Sequence, residues 1–144
     1  MVTLALQCGA YWYNECKKIS KREHMHIGIC EDNKAQAEFL QALAYEWSRE
    51  QKTACEISLF KSAESFLFSK EDKKPFDVLL LDIQMEKMSG IELAKKLREQ
   101  NDEVIIIFIT AIKDYVFEGY DVNASNYILK PVKRDKLVEC LHAE

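Results

Sequence analysis

No C-x-x-C pair occurs in the 144-residue chain, and no histidine stands at ligand spacing from its five cysteines, Cys8, Cys16, Cys30, Cys55 and Cys140. That pattern argues against a zinc site or a disulfide framework, and an odd, scattered set of thiols fits a reducing, cytoplasmic compartment. An excess of positive charge is also missing. Twenty Lys+Arg against 24 Asp+Glu give a net −4, so a broadly basic nucleic-acid face is not expected on this chain. No uninterrupted apolar stretch nears the ~20 residues that cross a bilayer, and no membrane partner is expected. Internal repeats and low-complexity segments are lacking. What remains is an ordinary globular balance, 48% hydrophobic and 31% charged, in a length that suits one domain.

Residues 1–24 differ from the rest. Positions 2–13 are rich in apolar and aromatic residues, broken by Thr3, Gln7 and Gly9, while 14–24 are polar and carry Lys17, Lys18, Lys21 and Arg22. A secretory signal places its positive charge ahead of the apolar run, and here it follows. We read 1–24 as an N-terminal extension, or as the product of an upstream start codon, in preference to a short membrane anchor. The functional domain is then 25–144, opening at Met25.

From Met25 onward, strand and helix patterns alternate. Residues 26–30 form a short strand that ends in the turn and cap residues Glu31, Asp32 and Asn33. Residues 34–50 carry Phe39, Leu40, Leu43 and Trp47 in one stripe at helical period. A strand over 54–60 and a short helix over 62–69 come next. Residues 76–81 are apolar apart from Asp77, the mark of a central strand covered on both faces. A helix over 90–100, a strong strand over 104–109, a weak helix over 113–122, a fifth strand over 125–129 and a last helix over 133–142 complete the series. Five βα units in succession predict an α/β fold, a doubly wound parallel sheet of five strands flanked by five helices.

In such sheets ligands bind outside the carboxyl ends of the strands. Strand one ends in Glu31 and Asp32, strand three in Asp82, strand four in Thr110 and strand five in Lys130. Carboxylates crowded at one edge repel one another unless a cation neutralises them, and oxygen-only ligands suit a hard ion such as Mg²⁺. A screened carboxylate is a nucleophile toward phosphorus, with Lys130 and Thr110 available to hold phosphoryl oxygens. Singly, each residue has an ordinary explanation. Asp32 or Asn33 can cap a helix, Thr110 can be a β-branched strand residue, Lys130 a solvated lysine and Tyr127 a half-buried aromatic. Their convergence on one edge carries the functional reading.

These elements, in this order, resemble the receiver domain of two-component response regulators. The matching pieces are Glu31-Asp32, the run DIQMEKMSG from Asp82 to Gly90, Thr110-Ala111, and YILKP from Tyr127 to Pro131. The stretches from Asp82 to Ala94 and from Asn123 to Pro131 are most similar to receivers attached to LytTR-type DNA-binding domains. The resemblance implies the flavodoxin-like strand order 2-1-3-4-5. It makes Asp82 the phosphoacceptor, Asp32 and Asp82 direct Mg²⁺ ligands, Glu31 a ligand through water, and the Gln84 backbone carbonyl a further ligand. Thr110 and Lys130 would bind the phosphoryl group, Tyr127 would be the aromatic switch, and Pro131 would follow a cis peptide bond.

The implied partners are a sensor histidine kinase and, on phosphorylation, a second copy of the chain. DNA would be reached only through an effector domain outside this chain, which is then a fragment or a stand-alone receiver controlling transcription indirectly. Beyond its own phosphotransfer and autodephosphorylation, no enzymatic turnover is expected. One departure stands out: Glu86 occupies the place, four residues after the acceptor, where many receivers have proline. The loop after Asp82 is therefore expected to be less rigid and to carry an extra negative charge near the metal.

Competing classes fit less well. An aspartyl-nucleophile phosphatase needs a second Asp two residues after the first, and this chain has Gln84. A nucleotide or flavin binder needs a glycine- or hydroxyl-rich phosphate loop after strand one, where Glu31-Asp32-Asn33 repels phosphate. A pseudo-receiver would keep the pocket without using it. Residues 113–122, with Tyr115, Val116, Phe117 and Tyr120 around Gly119, read as a marginal helix suited to shifting between two packings.

Overall fold

The computed structural model describes residues 24–70, 75–100, 102–112 and 122–142. Five strands, β1 (His24–Cys30), β2 (Ala54–Phe60), β3 (Val78–Asp82), β4 (Ile105–Thr110) and β5 (Asn126–Leu129), form one sheet in the order β2-β1-β3-β4-β5. Every neighbouring pair is parallel. Four helices are described: α1 (Lys34–Glu50), α2 (Ala63–Lys70), α3 (Gly90–Glu99) and α4 (Arg134–His142). The fifth expected helix and the shifting segment fall at 113–122, of which all but Val122 lies outside the described residues, as does the extension up to residue 23. β1 starts at His24, one residue ahead of Met25.

The sheet is covered on both faces because its central strands alternate between two cores. Ile27 and Ile29 of β1, Val78 and Leu80 of β3, and Ile107 and Ile109 of β4 meet Leu40, Ala44 and Trp47 of α1 and Leu137 and Leu141 of α4. Leu79 and Leu81 of β3, with Ile106 and Phe108 of β4, meet Phe66 of α2 and Leu93, Ala94 and Leu97 of α3 on the other face. A strand buried on both faces reads as a continuous apolar run, as β3 and β4 do. The chain leaves β1 toward β2 on one side and returns to β3 on the other. This reversal of winding opens a crevice at the carboxyl ends of β1 and β3.

α1 departs from the expected stripe in one respect. Its buried residues are Ala37, Leu40, Leu43, Ala44, Trp47 and Ser48, while Phe39 is 45% exposed. One residue is about 100° of helix, so Phe39 stands on the flank of the inner face. The two alanines instead lie inward, where the helix approaches the sheet.

α3 begins in a tight place. Gly90 donates its N–H to the Ile83 carbonyl at 2.9 Å, and a Cβ on Gly90 would run into the carbonyl oxygen of Asp82. The obstacle is backbone, so the strand or the helix has to move. Gly90→Ala is expected to lower stability by roughly 1–3 kcal/mol, the usual range for overpacking, as a lower urea midpoint with an unchanged m value.

Candidate functional site

The carboxyl edge of the sheet gathers the polar residues picked out from sequence. Glu31 follows β1, Asp82 ends β3, Thr110 ends β4 and Lys130 follows β5. Glu31, Asp82 and Thr110 are buried and Asp32 is exposed. Glu31, Asp32 and Asp82 each offer a carboxylate oxygen, and these oxygens lie within 4.8 Å of one another. The Lys130 ammonium donates to Glu31 Oε2 at 3.1 Å and to Asp82 Oδ2 at 3.2 Å. The other Asp82 oxygen, Oδ1, accepts from the backbone N–H of Gln84 at 3.2 Å. Each oxygen of the acceptor candidate is thus oriented by its own donor.

The local sequence accounts for why Asp32 is available. Asn33 is the N-cap of α1, its side-chain oxygen accepting the N–H of Gln36 at 3.0 Å. With the cap supplied by Asn33, Asp32 is left to the acidic cluster. Glu31 is held from the same turn, its Oε1 accepting the N–H of Asn33 at 3.3 Å.

Burial and proximity reshape the acid strengths. Burial, reinforced by contact with Asp82, pushes the Glu31 carboxyl from an ordinary 4.5 up to about 7, against the opposing pull of Lys130. Burial alone would lower Lys130, but the Glu31 and Asp82 carboxylates outweigh it and hold the ammonium above its ordinary value. The donors facing one another are all oxygens, two of them from buried residues and one from an exposed one. That set fits a small hard cation which keeps part of its water shell.

The remaining candidates frame this cluster. Thr110 is fully buried; its carbonyl accepts the Lys130 N–H at 2.8 Å, and its hydroxyl oxygen accepts the Ile112 N–H at 3.4 Å. Tyr127 is half-buried against the core shared with α2 and α3, and its hydroxyl donates to the Ile112 carbonyl. The Lys130–Pro131 bond is cis, in accord with expectation. Glu86 is exposed on the loop between β3 and α3, yet that loop is tied down. Besides the bonds of Gln84 and Gly90, the Met88 N–H donates to Glu64 Oε1 of α2 at 3.0 Å. Glu64 was not among the candidates, since nothing in its own neighbourhood marks a partner 24 residues away.

Lys130→Met tests the balance of charge. With the ammonium gone, two buried carboxylates face each other, and the Glu31 carboxyl, already raised, loses the pull of Lys130 that opposes the rise. The lost stability is then largest above the raised Glu31 value, where that carboxylate is ionised, and recovers as pH falls through it. In EDTA, urea unfolding should show a deficit of roughly 1–3 kcal/mol near pH ~8, shrinking markedly near pH ~5.5. An equal deficit at both values would contradict the charge balance described.

Comparison with known proteins follows the geometry. Residues 27–142 match the family model of the response regulator receiver domain, and the chain belongs to that family. Among curated relatives, it is 32% identical over 117 residues to the sensory transduction protein LytT of Enterococcus faecalis. It is also 32% identical over 111 residues to the transcriptional regulatory protein NatR of Bacillus subtilis. These matches take in 81% and 77% of this chain and 46% of each relative, so the chain spans about half their length. Among solved structures, the response regulatory domain of mrkE from Klebsiella pneumoniae superposes with a TM-score of 0.73 at 27% identity, covering 83% of this chain and 93% of that one. The response regulator TrrA of Thermotoga maritima, solved with Mg(2+)-BeF, gives 0.71 at 25% identity over 83% and 97% of the two chains. Among the described residues, no helix is long and apolar enough to cross a membrane.

Proposed function

We propose that the chain is a phosphorylation-controlled switch in which Asp82 accepts a phosphoryl group from the phosphohistidine of a sensor histidine kinase. The observation that carries this reading is the bridging of Glu31 and Asp82 by Lys130 beside the carboxylate of Asp32. Asp32, Asp82 and the Gln84 carbonyl would hold Mg²⁺, with Glu31 acting through water. The bound ion supplies neutralisation of the charge spread over the phosphoryl oxygens.

An Asp82 carboxylate oxygen attacks phosphorus in line with the P–N bond. As the P–O bond forms, the P–N bond breaks, and the kinase histidine leaves with the electron pair and takes a proton from solvent. Lys130, already on Asp82, follows the negative charge onto the phosphoryl oxygens. The Thr110 hydroxyl turns to donate to one of them. Because that hydroxyl also receives the Ile112 N–H, and the Ile112 carbonyl receives the Tyr127 hydroxyl, drawing Thr110 inward disturbs the tether of Tyr127. Moving a two-state element from 1:99 to 99:1 takes about 5.5 kcal/mol. A few charge-assisted hydrogen bonds of ~1.5–3 kcal/mol each supply it.

The altered surface would be the face of β5 and α4 together with residues 113–122, all but the last of which lie outside the described residues, and two copies would pair through it. Transcriptional output would come from a DNA-binding region outside this chain, in keeping with relatives named as transcriptional regulators. The experiment is intact-mass measurement after incubation with acetyl phosphate and Mg²⁺. Wild type should gain one phosphoryl group that is lost on adding EDTA beforehand, and Asp82→Asn should gain none. Label persisting on Asp82→Asn would refute the acceptor assignment.

A further inference from the structure

The loop between β3 and α3 lacks the proline that many receivers have four residues after the acceptor, yet it is fastened at both ends and once from another element. Its first tie is the Gln84 N–H on Asp82, and its last is the Gly90 N–H on the Ile83 carbonyl. Between them, the Met88 N–H donates to Glu64 Oε1 at 3.0 Å. Met85 and Met88 lie half-buried against the core that includes Phe66 of α2, so the loop is seated as well as tied.

The start of α2 shows why Glu64 is free to reach across. Ser62 caps that helix, its hydroxyl accepting the N–H of Ser65 at 3.1 Å, and the Ser65 hydroxyl returns the favour to the Ser62 N–H at 3.3 Å. In a capping box the residue at the third helical position reaches back to the cap. Here Ser65 does so, and the Glu64 carboxylate, one position earlier, takes its own N–H and the Ser62 hydroxyl while still reaching the Met88 N–H. Backbone N–H groups, its own and that of Met88, hold the Glu64 carboxyl below its usual range, so it is an ionised acceptor at neutral pH.

We infer that Glu64 is a positioning residue for the phosphoacceptor site: by holding Met88 it fixes the loop that carries the Gln84 carbonyl and orients Asp82. This rests on the phosphoacceptor reading above and names a control element of the same site. It assigns to a side chain of α2 the restraint that a proline at position 86 would give from within the loop. The tie matters most to the metal-binding geometry, because the Gln84 carbonyl is the one expected ligand that belongs to the loop itself.

Two variants separate hydrogen bonding from charge. Glu64→Ala removes the acceptor, whereas Glu64→Gln removes the charge and keeps an acceptor oxygen. Three readouts are taken on wild type, both variants and Asp82→Asn: amide hydrogen exchange at Met88, Mg²⁺ affinity by calorimetry, and the rate of labelling by acetyl phosphate. Glu64→Ala should speed Met88 exchange and weaken Mg²⁺ binding about fivefold, the fold-change that one net hydrogen bond carries. Labelling should slow in parallel. Glu64→Gln should restore all three to near wild type.

Unchanged Mg²⁺ affinity and labelling in Glu64→Ala, with wild type labelled normally, overturns the positioning role and leaves Asp82 as acceptor. A Glu64→Gln variant as impaired as Glu64→Ala overturns the hydrogen bond as its basis. Wild type that takes no label under any condition overturns the phosphoacceptor reading and this inference with it.

Discussion

The ammonium of Lys130 lies about equally far from a Glu31 oxygen and an Asp82 oxygen, and the crowding it offsets governs the arrangement around it. At an effective dielectric near 20, two like charges 4 Å apart repel by about 4 kcal/mol. One lysine cannot cancel three carboxylates, and the site keeps a residual negative charge. Burial first, and the Asp82 carboxylate after it, keep the Glu31 carboxyl from ionising until about 7 despite its ion pair. A cluster held short of neutrality in this way suits a cation, and each Asp82 oxygen is already oriented by a donor of its own.

Topology delivers these groups with little help from the loops. Parallel strands all point their carboxyl ends the same way, so Glu31, Asp82, Thr110 and Lys130 reach one edge because each lies at or just beyond a strand end. Fine placement is then a matter of local hydrogen bonding. Asn33 takes the capping duty that would otherwise compete for Asp32, and the cis bond at Pro131 closes the turn directly behind Lys130. Stability and chemistry draw on different residues but on the same strands.

The fold was legible because β3 and β4 are apolar on both faces, a pattern that only a covered central strand shows. The cluster was legible because each of its members ends a recognisable strand. Phe39 was misplaced for an instructive reason: size suggests burial, but a helix close to a sheet prefers alanine inside, and Ala37 and Ala44 took the inner positions. Glu64 left no trace because its partner is a backbone N–H on a distant loop, and backbone donors carry no sequence signature. The same holds for the Ile112 carbonyl that receives Tyr127. The sequence around Glu86 likewise shows nothing of the bond that its loop receives from another element.

The strict two-residue alternation of β3 ties packing to the placement of the site. Leu79 and Leu81 feed one core, Val78 and Leu80 the other, and Asp82 is the next step of the same ladder. Sliding this strand by a single position against β1 or β4 would exchange the residues of both interiors and carry the acidic group away from its neighbours at once. Alignment of the sheet and placement of the acidic cluster are therefore a single constraint, because a slipped β3 loses both interiors and the position of Asp82 together.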